Sequence, residues 1–80
     1  MDDNDIVQEI NRLATHEHEL EQRAARTPLS DDERALLSEV EVQLDQCWDL
    51  LRQRRARRGA GQDPDEAQVR AAEVVEHYQQ

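Results

Sequence analysis

Eighty residues suffice for one small domain, and the chain sets 19 Asp plus Glu against 10 basic residues, a formal charge of −9. All ten basic residues are Arg, Phe is absent, and Leu, Ile and Val together number 16, near the lower limit for a self-sufficient core. A deep self-made catalytic pocket and general nucleic-acid binding are disfavoured, the first by size and the second by the sign of the charge.

The first predicted helix covers about residues 3–26. Ile6, Ile10, Leu13, Glu17, Leu20 and Ala24 alternate four- and three-residue steps, a heptad seam with one charged layer at Glu17. Val7 and Ala14 widen the stripe on one side. Asp3, Asn4 and Asp5 place cap oxygens and negative charge at the positive end of the helix dipole. Pro28 disfavours helical geometry at Thr27, so the helix should stop near Arg26.

The second predicted helix covers about residues 31–58. Ser30-Asp31-Asp32-Glu33 is a capping box, in which the hydroxyl and the carboxylate each accept an N–H that the helix start would leave unpaired. The seam continues through Leu37, Val40, Leu44, Cys47 and Leu51, flanked by Leu36, Trp48 and Leu50. This arc is wider than one neighbour needs. Arg52, Arg54, Arg55, Arg57 and Arg58 close the helix, and Gly59 and Gly61 end it. A short C-terminal helix is expected at about residues 64–78. It would be started by Asp63-Pro64-Asp65-Glu66, with Ala67, Ala71, Val74, Val75 and Tyr78 as a weak apolar face; residues 68–70 could instead be extended.

The link at residues 27–29 is too short for anything but antiparallel neighbours. The fold class is therefore all-α: a single domain, an antiparallel, coiled-coil-like helical hairpin with a short C-terminal helix. In register from the turn, Leu20 should lie near Leu37, Leu13 near Leu44, Ile10 near Cys47 and Ile6 near Leu51, with Glu17 facing Val40. Asp2, Asp3, Asp5 and Glu9 should then reach the arginine-rich end of the second helix. Leu36, Val40, Trp48 and Leu50 are the candidate partner or oligomer interface, through which two hairpins would pair into a four-helix-bundle dimer. A monomeric three-helix arrangement is the alternative.

The Arg cluster has two readings. It is either an anion or nucleic-acid site, with Arg54, Arg57 and Arg58 as its best candidates, or a helix end neutralised by the acidic N-terminus. No aromatic stacking platform accompanies it, which favours the second. His16 and His18 flank Glu17 at a spacing that points them to different sides of a helix, so no metal site is expected. Cys47 reads as apolar filler, since Asp45 and Asp49 disfavour its thiolate. No catalytic motif, cofactor-binding loop, membrane-length apolar run or secretory signal is present. One lone cysteine and an acidic start fit a cytoplasmic protein.

The stretch Leu44-Asp45-Gln46-Cys47-Trp48-Asp49-Leu50-Leu51-Arg52-Gln53-Arg54-Arg55-Ala56-Arg57-Arg58, followed by Asp63-Pro64-Asp65-Glu66-Ala67-Gln68-Val69-Arg70, resembles a family of small actinobacterial proteins grouped as a domain of unknown function. The resemblance extends to Glu17-His18-Glu19-Leu20 and so covers most of the chain. In that family a proline often follows the Val-Arg pair, where this chain has Ala71; such a proline would break the last helix near Arg70. The resemblance implies no activity, cofactor or catalytic residue. The expectation is a non-enzymatic, self-associating interaction or regulatory module, with anion or nucleic-acid binding as the alternative.

Overall fold

Helix α1 spans Asp3–Ala24 and opens with a capping box. The Asp5 amide donates to Asp2 Oδ1 at 2.9 Å, and the Asp2 amide donates to Asp5 Oδ2 at 3.1 Å. Ile6, Ile10, Leu13 and Leu20 are its buried residues, the seam read from the spacing. The helix ends two residues before the expected boundary. The amides of Arg26 and Thr27 both turn back to the Arg23 carbonyl at 3.0 Å, tightening the chain toward Pro28.

Helix α2 spans Asp31–Gly59, and its predicted capping box is present: the Glu33 amide donates to Ser30 Oγ at 3.1 Å and the Ser30 amide to Glu33 Oε1 at 3.0 Å. Its C-terminus is a Schellman turn. Gly61 has φ +74°, and the Gln62 amide reaches back to the Arg57 carbonyl at 2.7 Å. Gly61, rather than Gly59, supplies the left-handed residue that stops the helix.

The structure, a computed structural model, describes residues 1–79, with side chains through Glu76. The side chains of His77 and Tyr78, and with them the apolar contribution expected of Tyr78, fall outside the described residues. The described residues form an all-helical chain with two long helices packed against each other. Ion pairs at both ends make them antiparallel: Asp3 with Arg54 and Arg58 at one end, Arg23 with Glu33 at the other. Asp3 precedes Ile6 by three residues and Arg54 follows Leu51 by three, which is the register expected of the Ile6–Leu51 layer. The shared core holds Ile6, Ile10, Leu13, Val40, Leu44, Leu50 and Leu51, with Cys47 and Ala67 packed against it.

The C-terminal segment departs from the single helix expected at 64–78. Pro64–Glu66 form one 3₁₀ turn capped by Asp63, residues 67–71 have no regular secondary structure and leave the turn with Ala67 extended, and helix α3 occupies Ala72–Gln79. This non-helical stretch is held by tertiary hydrogen bonds unavailable to a continuous helix. Gln53 Nε2 donates to the Gln68 carbonyl at 2.8 Å and Gln46 Nε2 to the Arg70 carbonyl at 3.2 Å. Within a helix those carbonyls would be taken by amides four residues on.

Helix α2 is the middle of the molecule. Val40, Leu44 and Leu51 face α1, while Gln46, Asp49 and Gln53, about half a turn away at 100° per residue, hold the C-terminal segment. Among the described residues helix α3 packs on α2 and not on α1. The result is a single layer of α1, α2 and the C-terminal segment, with extents of 50 × 25 × 16 Å. The second neighbour of α2 within the chain is its own C-terminal segment, docked on the polar stripe opposite the seam, while Leu36 and Trp48 of the wide apolar arc stay exposed.

Candidate functional site

The arginine-rich end of α2 is built by the register of the hairpin and by the return of the chain after Gly61. Arg54 is 5% exposed although it is charged. Its Nε donates to Asp3 Oδ1 at 2.6 Å, and its Nη1 donates to Asp65 Oδ1 at 3.0 Å and to the Pro64 carbonyl at 3.2 Å. Arg58 pairs with the second oxygen of Asp3, and Arg57 Nη1 lies 3.5 Å from Glu66 Oε2. The arginines beside Asp3, Arg58 first and Arg54 second, hold its carboxyl at a pKa of about 2. Asp3 in turn raises the pKa of both guanidinium groups, with Asp65 adding to the effect on Arg54.

The three arginines picked from the sequence as anion ligands are thus brought together, and each already faces a carboxylate of the same chain. Of the four N-terminal acids expected there, Asp3 makes the pairing; Asp2 and Asp5 cap α1, and Glu9 pairs with Arg12. The acids from the C-terminal side, Asp65 and Glu66, were not foreseen as partners. Their place in the sequence marks a helix start, and only the path of the chain past Gly61 brings them under α2. Arg52 and Arg55 remain exposed, with no ion pair or hydrogen bond among the described residues.

A buried ionic cluster also escaped the sequence reading. Asp49 is 2% exposed and accepts from Arg70 Nε at 2.9 Å, from Arg70 Nη2 at 2.7 Å and from Gln53 Nε2 at 2.9 Å. Gln46, Asp49 and Gln53 sit at i, i+3 and i+7, a polar stripe that looks like a solvated face when the chain is read alone. The available signal was an acid inside Trp48-Asp49-Leu50-Leu51 followed by a lone Arg70 in an extended-compatible stretch.

The four candidate interface residues divide. Val40 and Leu50 are inside the protomer, at 3% and 7% exposure, because the seam and the returning segment cover them. Leu36 and Trp48 stand at the surface, at 36% and 43%. Met1, Val7, Val69 and Val74 are the other large apolar side chains exposed among the described residues. A groove of about 250 Å³ opens beside Leu50, Cys47 and Val69 on one face of the layer. The Cys47 thiol there is pushed up in pKa by burial and then by Glu9, which suits packing and not reactivity.

On the other face, carboxylate oxygens of Glu17, Glu21 and Glu41 lie within 4.8 Å of one another. Burial first, then Glu21, Glu41 and Asp45, raises the pKa of Glu17. No arginine pairs with any of these four acids among the described residues. They are the one described group whose side chains could converge on a cation, but exposed acidic clusters commonly hold none. No described helix is long and apolar enough to cross a membrane.

The chain belongs to the family described as Protein of unknown function (DUF2630), matched over residues 2–80. Uncharacterized proteins of Mycobacterium bovis and of two strains of Mycobacterium tuberculosis are each 44% identical to it over 77 residues, covering 95% of this chain and 88% of theirs. The resemblance to small actinobacterial proteins read from Leu44–Arg58 and Asp63–Arg70 is met by these relatives. No solved structure matches the chain.

Proposed function

We propose that this protein is a non-enzymatic helical module that works by association, first with a second copy of itself, so that two hairpins stack into a four-helix bundle. The observation that carries this reading is the single-layer architecture. A molecule 16 Å thin leaves both faces of the α1–α2 hairpin open, and Trp48 and Leu36 stay on the surface at 43% and 36% exposure. Large aromatic side chains left half-exposed are the usual anchors of protein interfaces. Stacking a second layer is the standard way for a helix layer to bury what one layer leaves wet.

The anion-binding reading receives less support. Arg54, Arg57 and Arg58 would have to exchange Asp3, Asp65 and Glu66 for an external anion, against a chain of charge −9. Sedimentation equilibrium at micromolar concentrations tests the proposal, with twice the 9.3 kDa chain mass expected. A compact monomer across that range refutes it. Titration of labelled RNA and DNA at low salt should give no saturable binding.

A further inference from the structure

Helix α2 carries one surface stripe whose side chains take part in no hydrogen bond or ion pair among the described residues. Glu41, Asp45, Trp48, Arg52 and Arg55 follow one another at spacings of four, three, four and three residues, and fall within an arc of roughly 80° at 100° per residue. All are exposed except Asp45, which is half-buried. The stripe lies on the face of the layer that bears the carboxylate cluster, since Glu41 belongs to both. On α1 the neighbouring positions toward the arginine end include Val7, also exposed, one heptad before Ala14 and two before Glu21. The opposite groove, floored by Leu50 and Cys47, is on the other side of the seam.

The order of charges along this stripe is antisymmetric about the tryptophan. Two acids precede it, seven and three residues away, and two arginines follow it, four and seven residues away. Neither half is neutralised internally: the acids crowd against further acids, and Arg52 and Arg55 have no partner among the described residues. A two-fold axis through Trp48, lying in the face and perpendicular to α2, turns the acidic half of one copy onto the arginine half of the other. Glu41 then meets Arg55 of the second copy about 10.5 Å from the axis, and Asp45 meets Arg52 within about 1.5 Å along the helix. A two-fold axis parallel to the helix would set acid on acid in a chain already at −9.

We infer that this stripe is the self-association surface of the protein, closing an antiparallel two-fold dimer with Trp48 against Trp48 at its centre and reciprocal Glu41–Arg55 and Asp45–Arg52 pairs on either side. The inference rests on the association proposed above and supplies its surface and its symmetry. An interface that repeats one patch on both subunits must be self-complementary, and this patch is so in charge and in shape of sequence. The face extends over as much as 50 × 25 Å, ample for the ~800 Å² that each partner contributes to a standard interface. The tryptophan is placed at the centre, where binding energy concentrates, and the charged pairs at the rim, where they set orientation.

A charge-exchange series in the full-length protein tests it, read by sedimentation equilibrium at low ionic strength, with circular dichroism confirming that each variant keeps its helix content. Glu41→Arg alone and Arg55→Glu alone should each weaken dimerisation about tenfold, because each puts two like-charge pairs across the axis. The double variant E41R/R55E should return to within about threefold of the parent. Residues 41 and 55 are four helical turns apart on one helix, so the recovery can only come from a second chain. Trp48→Ala should weaken the dimer more than about a hundredfold. In the parent protein, the Trp48 emission should shift to the blue and lose acrylamide quenching as concentration rises through the transition. A dimer that shows no recovery in E41R/R55E overturns this surface while leaving self-association standing. So does a dimer that tolerates Trp48→Ala but dissociates on Val69→Glu, which would assign the opposite groove. A monomer at every concentration overturns both.

Discussion

Removing the guanidinium of Arg70 isolates one piece of buried electrostatics whose cost follows from exposure. Asp49 is 2% exposed and the Arg70 side chain 44% exposed. In Arg70→Ala the carboxylate keeps Gln53 but loses two charge-assisted hydrogen bonds and cannot reach bulk water. Breaking a fully buried pair costs about 3–5 kcal/mol; with one partner half in solvent, the loss should be nearer ~2 kcal/mol. Asp49→Asn, which preserves size and the Gln53 contact and removes the buried charge, should cost about 1 kcal/mol. The double variant should fall close to Asp49→Asn alone, a coupling of roughly 1–2 kcal/mol. A stability of ~4–12 kcal/mol is expected for a chain of this length, so urea unfolding followed by circular dichroism resolves these differences. The assignment fails if Arg70→Ala is within 0.5 kcal/mol of the parent by that assay, a margin of about the experimental error. It fails equally if the two substitutions are additive.

Glu17→Leu should stabilise the chain, because it completes the apolar seam and dissolves the carboxylate cluster; burial of most of one leucine corresponds to a rise in thermal midpoint of about 4–8 °C at pH 7. An unchanged or lower midpoint would mean that Glu17 has a partner that offsets its environment. Asp3 titrates near 2 in the folded chain, below its ordinary value of 3.8, so its contribution is complete above about pH 4 and is lost as the pH falls toward 2. Glu17 has the opposite sign, its raised pKa favouring the folded state on protonation. Asp3→Asn should therefore show a shallower fall of thermal midpoint between pH 4 and pH 2 than the parent, and an unchanged slope would refute the Arg54–Asp3–Arg58 assignment. Two glycines two residues apart should respond with opposite signs in thermal or urea unfolding. Gly61→Ala costs about 1–2 kcal/mol because its φ is +74°, while Gly59→Ala, inside the helix with open space around it, gains roughly 0.5–1 kcal/mol.

Local chemistry made much of this architecture legible from the chain. Capping boxes are short-range hydrogen-bond patterns, so Ser30-Asp31-Asp32-Glu33 announced the start of α2 to the residue. Ile6, Ile10, Leu13, Leu20, Val40, Leu44 and Leu51 could be assigned to a seam because helix geometry turns sequence spacing directly into a face. The short link through Pro28 then left only the antiparallel choice, and register followed from it. The candidate site was less legible. Val40 and Leu50 were candidates for an outer interface and lie inside, Val40 because α1 covers it across the seam and Leu50 because the segment that returns at Ala67 and Val69 lands beside it. Leu36 and Trp48 did reach the surface, at the edges of the same arc.

What the amino-acid order determined by itself is the set of helices, their caps and the pairing of the first two, all governed by interactions within a turn or across one short loop. Only the tertiary structure decided the fate of the C-terminal segment. Residues 67–71 stay out of a helix because Gln46, Asp49 and Gln53 accept and donate across 15 to 24 residues of chain, and helix propensity has no knowledge of those partners. The same return of the chain turned Arg54 from a surface cation into a buried one held by Asp3 and Asp65, and left Arg52 and Arg55 exposed. Which charges a folded chain neutralises internally, and which it leaves outside, depends on distances in space that sequence separation does not encode.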